Sequence, residues 1–225
     1  MKTIAAITIG HSPRQDAVDE MGRFLPGVSW RQVGALDGLD PTEIAALAPR
    51  EAEFPLVTRL RDGGTAVVGE HAITPLMQRA VARLERSADI VLVMCSGRFE
   101  LSSSRPLVFP GLVLGGIARA LFGGQRVLVL TPHEAQVESQ RTHWCAQGLD
   151  PVVRVASPYR ATDFGSLGRE AAGLGVTAAI LDCFGYRLPM QAEFAASSGL
   201  PSLLVRSVAA RVIAELLLLP DGLTG

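Results

Sequence analysis

The chain has 225 residues, of which 48% are hydrophobic and 19% charged, and its formal net charge at pH 7 is -1. This composition is that of an ordinary folded protein and excludes an intrinsically disordered chain. Without a basic excess, the sequence lacks the electrostatic footprint of a protein that binds nucleic acid or an anionic membrane, so we expect a small-molecule ligand.

The cysteines and the two ends of the chain narrow the class further. Cys95, Cys145 and Cys183 are an odd number, too few for a disulfide framework, and none has C-x-x-C spacing, so we expect a reducing, cytoplasmic compartment. Residues 1–10 are too short to span a membrane, and residues 208–219 carry charges at helical spacing, which favours a docked helix. The four histidines lack metal-type spacing, so no metal site is expected.

Strands and helices alternate from the first residues on. Asp40 followed by Pro41 predicts a helix start, because aspartate caps a helix and proline fits its first turn. Glycines at residues 63–64 between two short apolar runs predict a hairpin. The predicted elements of this half are strands at residues 3–9, 29–33, 55–58, 66–68 and 87–94 and helices at residues 16–24, 41–48, 73–86 and 112–121.

The second half continues the alternation. Its predicted elements are strands at residues 126–131, 152–156, 176–182 and 202–206 and helices at residues 133–147, 163–174, 189–198 and 208–218. The whole pattern predicts an α/β fold with mainly parallel sheets. In each half a strand followed by a hydroxyl, Ser12 or Thr131, comes before a strand that ends in a cysteine. This order indicates two related Rossmann-like lobes around a central cleft.

Two buried strands are predicted to end in a thiol. The segments are Cys95-Ser96-Gly97 after residues 87–94 and Cys183-Phe184-Gly185 after residues 176–182. Ligands of open α/β sheets bind at this carboxyl end of the strands. A lone cysteine there is more often a buried small hydrophobe, but two at matching places favour a function. Two thiols facing a carbon from opposite sides can remove and deliver a proton and so invert the centre without a cofactor.

Polar groups near these thiols are candidates for binding a carboxylated substrate. A developing enediolate needs preorganised hydrogen bonds, and an arginine can hold a carboxylate in a bidentate pair. The candidate binding residues are Ser12, Arg14, Ser96, Gly97, Thr131, Ser157, Phe184 and Gly185. Cys145, beside Trp144 in a predicted helix, is interpreted as a core residue. Asp182 is interpreted as the cap of a local turn, because neighbouring side chains of a strand point apart.

Four segments carry a resemblance to a known family. They are residues 8–14 (TIGHSPR), 181–186 (LDCFGY), 201–205 (PSLLV) and 209–216 (AARVIAEL). Together they resemble the AroM family, which is similar to the wider aspartate/glutamate racemase superfamily of hydantoin racemase, maleate isomerase and arylmalonate decarboxylase. Residues 129–134 (VLTPHE) are similar to the strand and Thr-Pro turn of the maleate isomerase branch.

The resemblance implies a two-lobed enzyme without a cofactor. Residues 1–110 with 207–225 would form the first lobe, and residues 111–206 the second. Cys95 and Cys183 would lie across the cleft as the catalytic residues. Ser12, Ser96 and Thr131 would bind the substrate carboxylate.

Three hypotheses about function remain open at this point. The first is a cofactor-independent racemase or epimerase of a small carboxylated carbon acid, with the sulfurs of Cys95 and Cys183 roughly 7 to 10 Å apart as an acid/base pair. The second uses one thiol to isomerise an unsaturated diacid or to decarboxylate a malonate. The third is a non-catalytic small-molecule-binding protein. The expected partner is a small carboxylate, with no nucleic acid and no membrane, and a homo-oligomer stays open.

Overall fold

Most strands of this chain are apolar at successive positions, which suits parallel sheets covered by helices on both faces. The computed structural model describes residues 1–51 and 53–218. Its strands are β1 (Thr3–Thr8), β2 (Ser29–Gly34), β3 (Pro55–Arg59), β4 (Thr65–Gly69), β5 (Ile90–Val93), β6 (Leu107–Val108), β7 (Arg126–Thr131), β8 (Asp150–Val155), β9 (Ala178–Leu181) and β10 (Ser202–Leu204). All four residues of β5 and of β9 are buried.

Helices follow most of the strands. They are α1 (Gln15–Met21), α2 (Pro41–Ala45), α3 (Glu70–Leu84), α4 (Pro110–Phe122), α5 (Val137–Ala146), α6 (Phe164–Ala172), α7 (Leu188–Ser198) and α8 (Val205–Leu216). The predicted start of α2 is confirmed: the Asp40 side chain accepts from the N–H groups of Thr42 and Glu43, and the Glu43 side chain accepts in return from the Asp40 N–H. Within the described ranges, every helix is too short or too polar to cross a bilayer.

The chain divides into two units. The first unit takes residues 1–110 and the described chain from residue 209 on, and the second takes residues 111–208. In the first, β1 pairs in parallel with β2 and β5, and β6 joins β5. Strands β3 and β4 pair antiparallel, which confirms the predicted hairpin. Apolar side chains of this sheet and of α3 form its core, among them Ile7, Val91 and Met77.

The sheet of the second unit has β7 at its centre. This strand pairs in parallel with β8 and β9, and β10 joins β9. Its core includes Leu128, Leu181 and Phe194. The predicted α/β class with mainly parallel sheets is therefore confirmed in both units.

Both parallel sheets have the same strand order. When the strands of each parallel sheet are numbered within their own unit, the order is 2-1-3-4, because the sheets run β2-β1-β5-β6 and β8-β7-β9-β10. The order reverses between strands 1 and 3, and ligands of doubly wound sheets bind at such a switch point, beyond the carboxyl ends of the strands. In both units, strand 3 is the one that leads to a candidate cysteine.

Three sequence predictions about these elements were wrong. Strand β10 ends at Leu204, and Val205 and Arg206 already belong to α8, which the sequence placed three residues further on. The short strand β6 was not predicted. Cys145, predicted to lie in the core, is exposed, although Trp144 beside it is buried.

Candidate functional site

Cys95 lies two residues beyond the last residue of β5. The N–H of Met94 still donates to the carbonyl of Ile7 at 2.7 Å, so the chain keeps to the edge of β1 as it leaves the sheet. The chain then turns, and the N–H of Gly97 donates to the Cys95 sulfur at 3.3 Å. The thiol is buried. This thiol therefore sits in a tight turn at the switch point of the first unit.

Cys183 has the same surroundings in the second unit. It lies two residues beyond the end of β9, and the N–H of Asp182 donates to the carbonyl of Leu130 at 3.2 Å. The N–H of Gly185 donates to the Cys183 sulfur at 3.4 Å, and this thiol is also buried. An N–H aimed at sulfur stabilises negative charge there, so each turn supplies one hydrogen bond that a thiolate can accept.

Neighbouring side chains pack closely against the glycine at the third position of each turn. A Cβ on Gly97 would lie 2.8 Å from Leu56 Cδ2. A Cβ on Gly185 would lie 2.5 Å from Tyr159 Oη and 2.8 Å from Pro158 Cγ. Close approach, rather than unusual backbone angles, thus explains the shared Cys-x-Gly pattern.

The predicted binding residue Thr131 has a counterpart that sequence reasoning missed. The last paired residues are Ile7 with Val93 in one sheet and Leu130 with Leu181 in the other. The next residue along is Thr8 in the first unit and Thr131 in the second, and both are buried. The Thr131 hydroxyl donates to Gln136 Oε1 at 2.8 Å. The register therefore matches Thr131 with Thr8 and not with Ser12.

Ser12 is held by a carboxylate that the sequence did not single out. Its hydroxyl donates to Asp37 Oδ2 at 2.5 Å, and its N–H donates to Asp37 Oδ1 at 3.0 Å. The Gly34 N–H also donates to Asp37, and Arg61 lies 3.3 Å away. Burial by itself raises the pKa of the Asp37 carboxyl, but these hydrogen bonds and the Arg61 charge outweigh it, so the pKa lies below its ordinary value of 3.8. The Ser12 proton is therefore committed to Asp37.

We expect Asp37→Ala to lower the free energy of unfolding by about 1–3 kcal/mol, because two backbone N–H groups and a hydroxyl lose their acceptor. A lowered native pKa means that the stabilisation by Asp37 is complete above pH 4 and is lost as the pH falls through that native value. Urea unfolding between pH 7 and pH 3 checks both points. The exposed Asp19→Ala variant is the control, and equal losses in the two variants would contradict the role given to Asp37.

Arg14 is a buried residue whose guanidinium already has a carboxylate partner. Its Nε and Nη2 donate to the two oxygens of Asp16 at 2.9 and 3.0 Å, and its backbone N–H donates to Gln32 Oε1 at 2.7 Å. A substrate carboxylate could take that edge of the guanidinium only by displacing Asp16. Arg61, which is well exposed, presents its guanidinium beside the same loop, where Nη2 lies 3.5 Å from the Ser12 carbonyl.

A cavity of about 400 Å³ opens beside this loop. Its walls are residues 11–16 and, from the β3–β4 hairpin, Arg59, Leu60, Arg61 and Gly63. Ser12 and Arg14 thus line a space large enough for a small carboxylate. Among the described residues around it, neither candidate cysteine forms part of the wall.

The Cys183 turn is surrounded by buried polar contacts from distant parts of the chain. Asp182, interpreted from the sequence as the cap of a local turn, also has a distant partner: its Oδ2 accepts from the indole N–H of Trp144, on α5, at 3.2 Å. The buried Tyr186 hydroxyl donates to the Ala156 carbonyl at 2.6 Å. Burial first, and then electrostatic repulsion from the acidic groups of Cys183, Asp182 and Tyr159, raise the pKa of Tyr186 well above its ordinary value of 10.0.

Arg206 is another residue that sequence reasoning missed. Its side chain is only 1% exposed, and its Nε and Nη2 both donate to the carbonyl of Phe184, at 3.1 and 2.7 Å. Its guanidinium carbon lies 5.3 Å from the centre of the Phe184 ring. Phe184, predicted to bind substrate, is therefore buried, and the Arg206 guanidinium binds its carbonyl in the middle of the Cys183 turn.

The remaining predicted residues lie on the same edges of the sheets. Ser96 is half-buried between Cys95 and Gly97. Ser157 follows β8, and its hydroxyl oxygen accepts from the Tyr159 N–H at 3.3 Å. Each unit thus gathers its own candidates at the carboxyl ends of adjacent strands: Ser12, Arg14, Cys95, Ser96 and Gly97 in the first, and Thr131, Ser157, Cys183, Phe184 and Gly185 in the second.

Comparison with known proteins finds a matching family and solved structures of similar fold. A family model described as AroM protein matches residues 4–217. Unliganded arylmalonate decarboxylase is similar with a TM-score of 0.64 and 16% identity, over 96% of this chain and 92% of that one. Maleate isomerase Iso from Pseudomonas putida S16 is similar with a TM-score of 0.62 and 13% identity, over 97% of this chain and 94% of that one. Allantoin racemase from Klebsiella pneumoniae is similar with a TM-score of 0.59 and 14% identity, over 97% of this chain and 89% of that one. No curated protein sequence matches this chain.

Proposed function

Since the chain belongs to the AroM family, with a fold that it shares with racemases, an isomerase and a decarboxylase, we propose that it is a cofactor-independent racemase or epimerase. Its substrate is a small carbon acid that bears a carboxylate. The observation that carries the proposal is the repeated turn: each unit places a buried thiol, with a backbone N–H on its sulfur, at the switch point of a 2-1-3-4 sheet.

Cys95 and Cys183 are the proton-transfer groups in this proposal. One, as the thiolate, removes the proton from the substrate carbon, and the electron pair of the broken C–H bond passes into the carboxylate as an enediolate. The other, as the thiol, delivers its proton to the opposite face, and a new C–H bond forms. The two cysteines exchange protonation states in each turnover, so no oxidant, reductant or cofactor takes part.

The loop after β1 supports recognition of a carboxylate. Arg61 stands exposed beside the cavity, and Ser12 is oriented by Asp37. We propose that Arg61 and the cavity wall attract the carboxylate of an incoming substrate, because an exposed guanidinium on a small concave site suits that group. Arg14 supports the wall through its pair with Asp16.

A second reaction type uses the same residues in another way. A solved structure of similar fold is an arylmalonate decarboxylase and another is a maleate isomerase. In a decarboxylation the C–C bond breaks and carbon dioxide leaves. One thiol then protonates the carbanion.

Turnover in deuterium oxide tests the proposal and separates the two reactions. The purified protein is incubated with each enantiomer of aspartate, with maleate and with an arylmalonate. For the chiral substrate, we expect deuterium at the α-carbon of recovered substrate together with its enantiomer. Deuterium found only in a new product would support decarboxylation instead.

The matched controls for this experiment come from the three cysteines. Cys145→Ala alters the exposed thiol and should keep full activity. The Cys95→Ala and Cys183→Ala double variant should lose it. A double variant as active as Cys145→Ala would rule out thiol chemistry. Tight binding of a carboxylate with no exchange and no product would identify a non-catalytic binding protein.

A further inference from the structure

Arg206 and the Cys183 sulfur are joined through a single peptide group. The guanidinium donates through Nε and Nη2 to the Phe184 carbonyl. The peptide bond that begins with this carbonyl ends with the N–H of Gly185, and that N–H donates to the Cys183 sulfur at 3.4 Å. The oxygen of this planar peptide group therefore accepts from the Arg206 guanidinium, and its N–H donates to the Cys183 sulfur.

We propose that Arg206 is the positioning residue of the Cys183 thiolate. Two N–H donors on one carbonyl fix the plane of the Phe184–Gly185 peptide, so the Gly185 N–H stays aimed at the sulfur. A cation at the carbonyl also polarises the amide and strengthens donation by its N–H, as in a hydrogen-bonded chain in a site of low dielectric. Arg206 thus acts on the thiolate through the peptide.

A neighbouring carboxylate opposes negative charge on Cys183. Asp182 adjoins Cys183 and is buried, and Tyr159 lies beside Gly185 in the same turn. An aspartate next to a thiolate disfavours its negative charge. The arginine, which stays protonated at all working pH values, provides the opposing charge from α8.

The consequence is that the two thiols differ. Cys95 receives the Gly97 N–H in a turn built around Leu56 and Phe99, whereas Cys183 receives an N–H that a buried arginine holds. We therefore assign the thiolate of the free enzyme to Cys183 and the thiol to Cys95. This assignment of acid and base rests on the proposed function, but the effect of Arg206 on Cys183 does not.

Titration of single thiols tests the inference without a substrate. In the Cys95→Ser, Cys145→Ser background, Cys183 is the only thiol, and its ionisation is followed by the ultraviolet absorbance of the thiolate. Arg206→Met should raise the midpoint of this titration by about one pH unit or more. Arg206→Lys keeps the charge but not the pair of N–H groups that donate to one carbonyl, so we expect the midpoint to rise by about half as much.

The reference is a chain with Cys95 as the only thiol, made by Cys145→Ser and Cys183→Ser. Arg206→Met should leave its midpoint within about 0.3 pH unit, because Arg206 is not in the Cys95 turn. An unchanged Cys183 midpoint, or equal shifts at both thiols, would overturn the inference. If circular dichroism shows that the Met variant is unfolded, the Lys variant decides by the same criteria. If no substrate of the panel reacted, these titrations would still test the effect of Arg206. If the titrations failed, the substrate panel would still test the proposed function.

Discussion

Replacing Cys183 by alanine should reduce racemisation by about 10²–10⁴-fold, the usual contribution of a positioned acid or base, while one enantiomer continues to exchange its α-proton with solvent. In a two-base reaction, each thiol serves one face of the carbon. With Cys183 absent, Cys95 can still remove a proton from the enantiomer that presents it, and can return a deuteron to the same face. Inversion falls by this factor, and exchange without inversion remains.

Cys95→Ala should show the mirror image of this result. The enantiomer that still exchanges should be the other one, and this reversal distinguishes two bases from one nucleophile. Proton magnetic resonance of each enantiomer in deuterium oxide, with chiral chromatography of the recovered substrate, measures exchange and inversion separately. If one cysteine variant lost both activities and the other lost neither, a single-thiol reaction would replace the two-base proposal.

Trp144→Ala should lower the free energy of unfolding by about 3–5 kcal/mol. The indole is fully buried, so truncation leaves a large cavity beside the sheet of the second unit. It also removes the N–H that donates to Asp182, the residue before Cys183. The loss should therefore exceed that of an apolar side chain of the same size, and the Cys183 turn should loosen with it.

A second variant separates packing from hydrogen bonding. Trp144→Phe keeps much of the apolar volume but leaves Asp182 without the indole donor, and should cost about 1–3 kcal/mol. Cys145→Ala, on the exposed side of the same helix, should change little and is the matched control. Urea unfolding is followed by circular dichroism and not by tryptophan fluorescence, because the Trp144 variants keep Trp30 as their single tryptophan. A Phe variant as stable as the wild type would show that the bond to Asp182 contributes nothing.

The sequence pattern correctly predicted the elements of this fold that depend on interactions between residues close together in the chain. Continuous apolar strands that alternate with helices predicted the parallel sheets, and the aspartate and proline at the start of α2 predicted where it begins. Where a short apolar run suits two structures, the sequence was ambiguous. Val205 and Arg206 continue the run of β10, but they belong to α8.

Burial on a helix depends on angle and not on adjacency. Successive residues of a helix point about 100° apart, so the burial of Trp144 turned Cys145 toward solvent. The prediction of a core cysteine used the neighbour instead of the helical period, and this is why it was wrong.

The site residues that sequence reasoning missed act over long separations in the chain. Asp37 holds Ser12 from 25 residues away, and Arg206 holds Phe184 from 22. No local motif marks such pairs, because each is created by strands and helices meeting at the edge of a sheet. The placement of Cys95 and Cys183 at the ends of β5 and β9 was predictable, since a buried apolar run leads to each. The separation of their sulfurs stays a prediction.

The hydroxyl of Tyr186 has a consequence for experiments at alkaline pH. Because its pKa lies far above the ordinary value, it remains protonated, and a donor to Ala156, while cysteine thiols lose their protons. This tie between the Cys183 turn and the segment after β8 is therefore insensitive to pH over that interval. An alkaline limb in the rate profile should report ionisation of the thiols themselves and not the release of their scaffold.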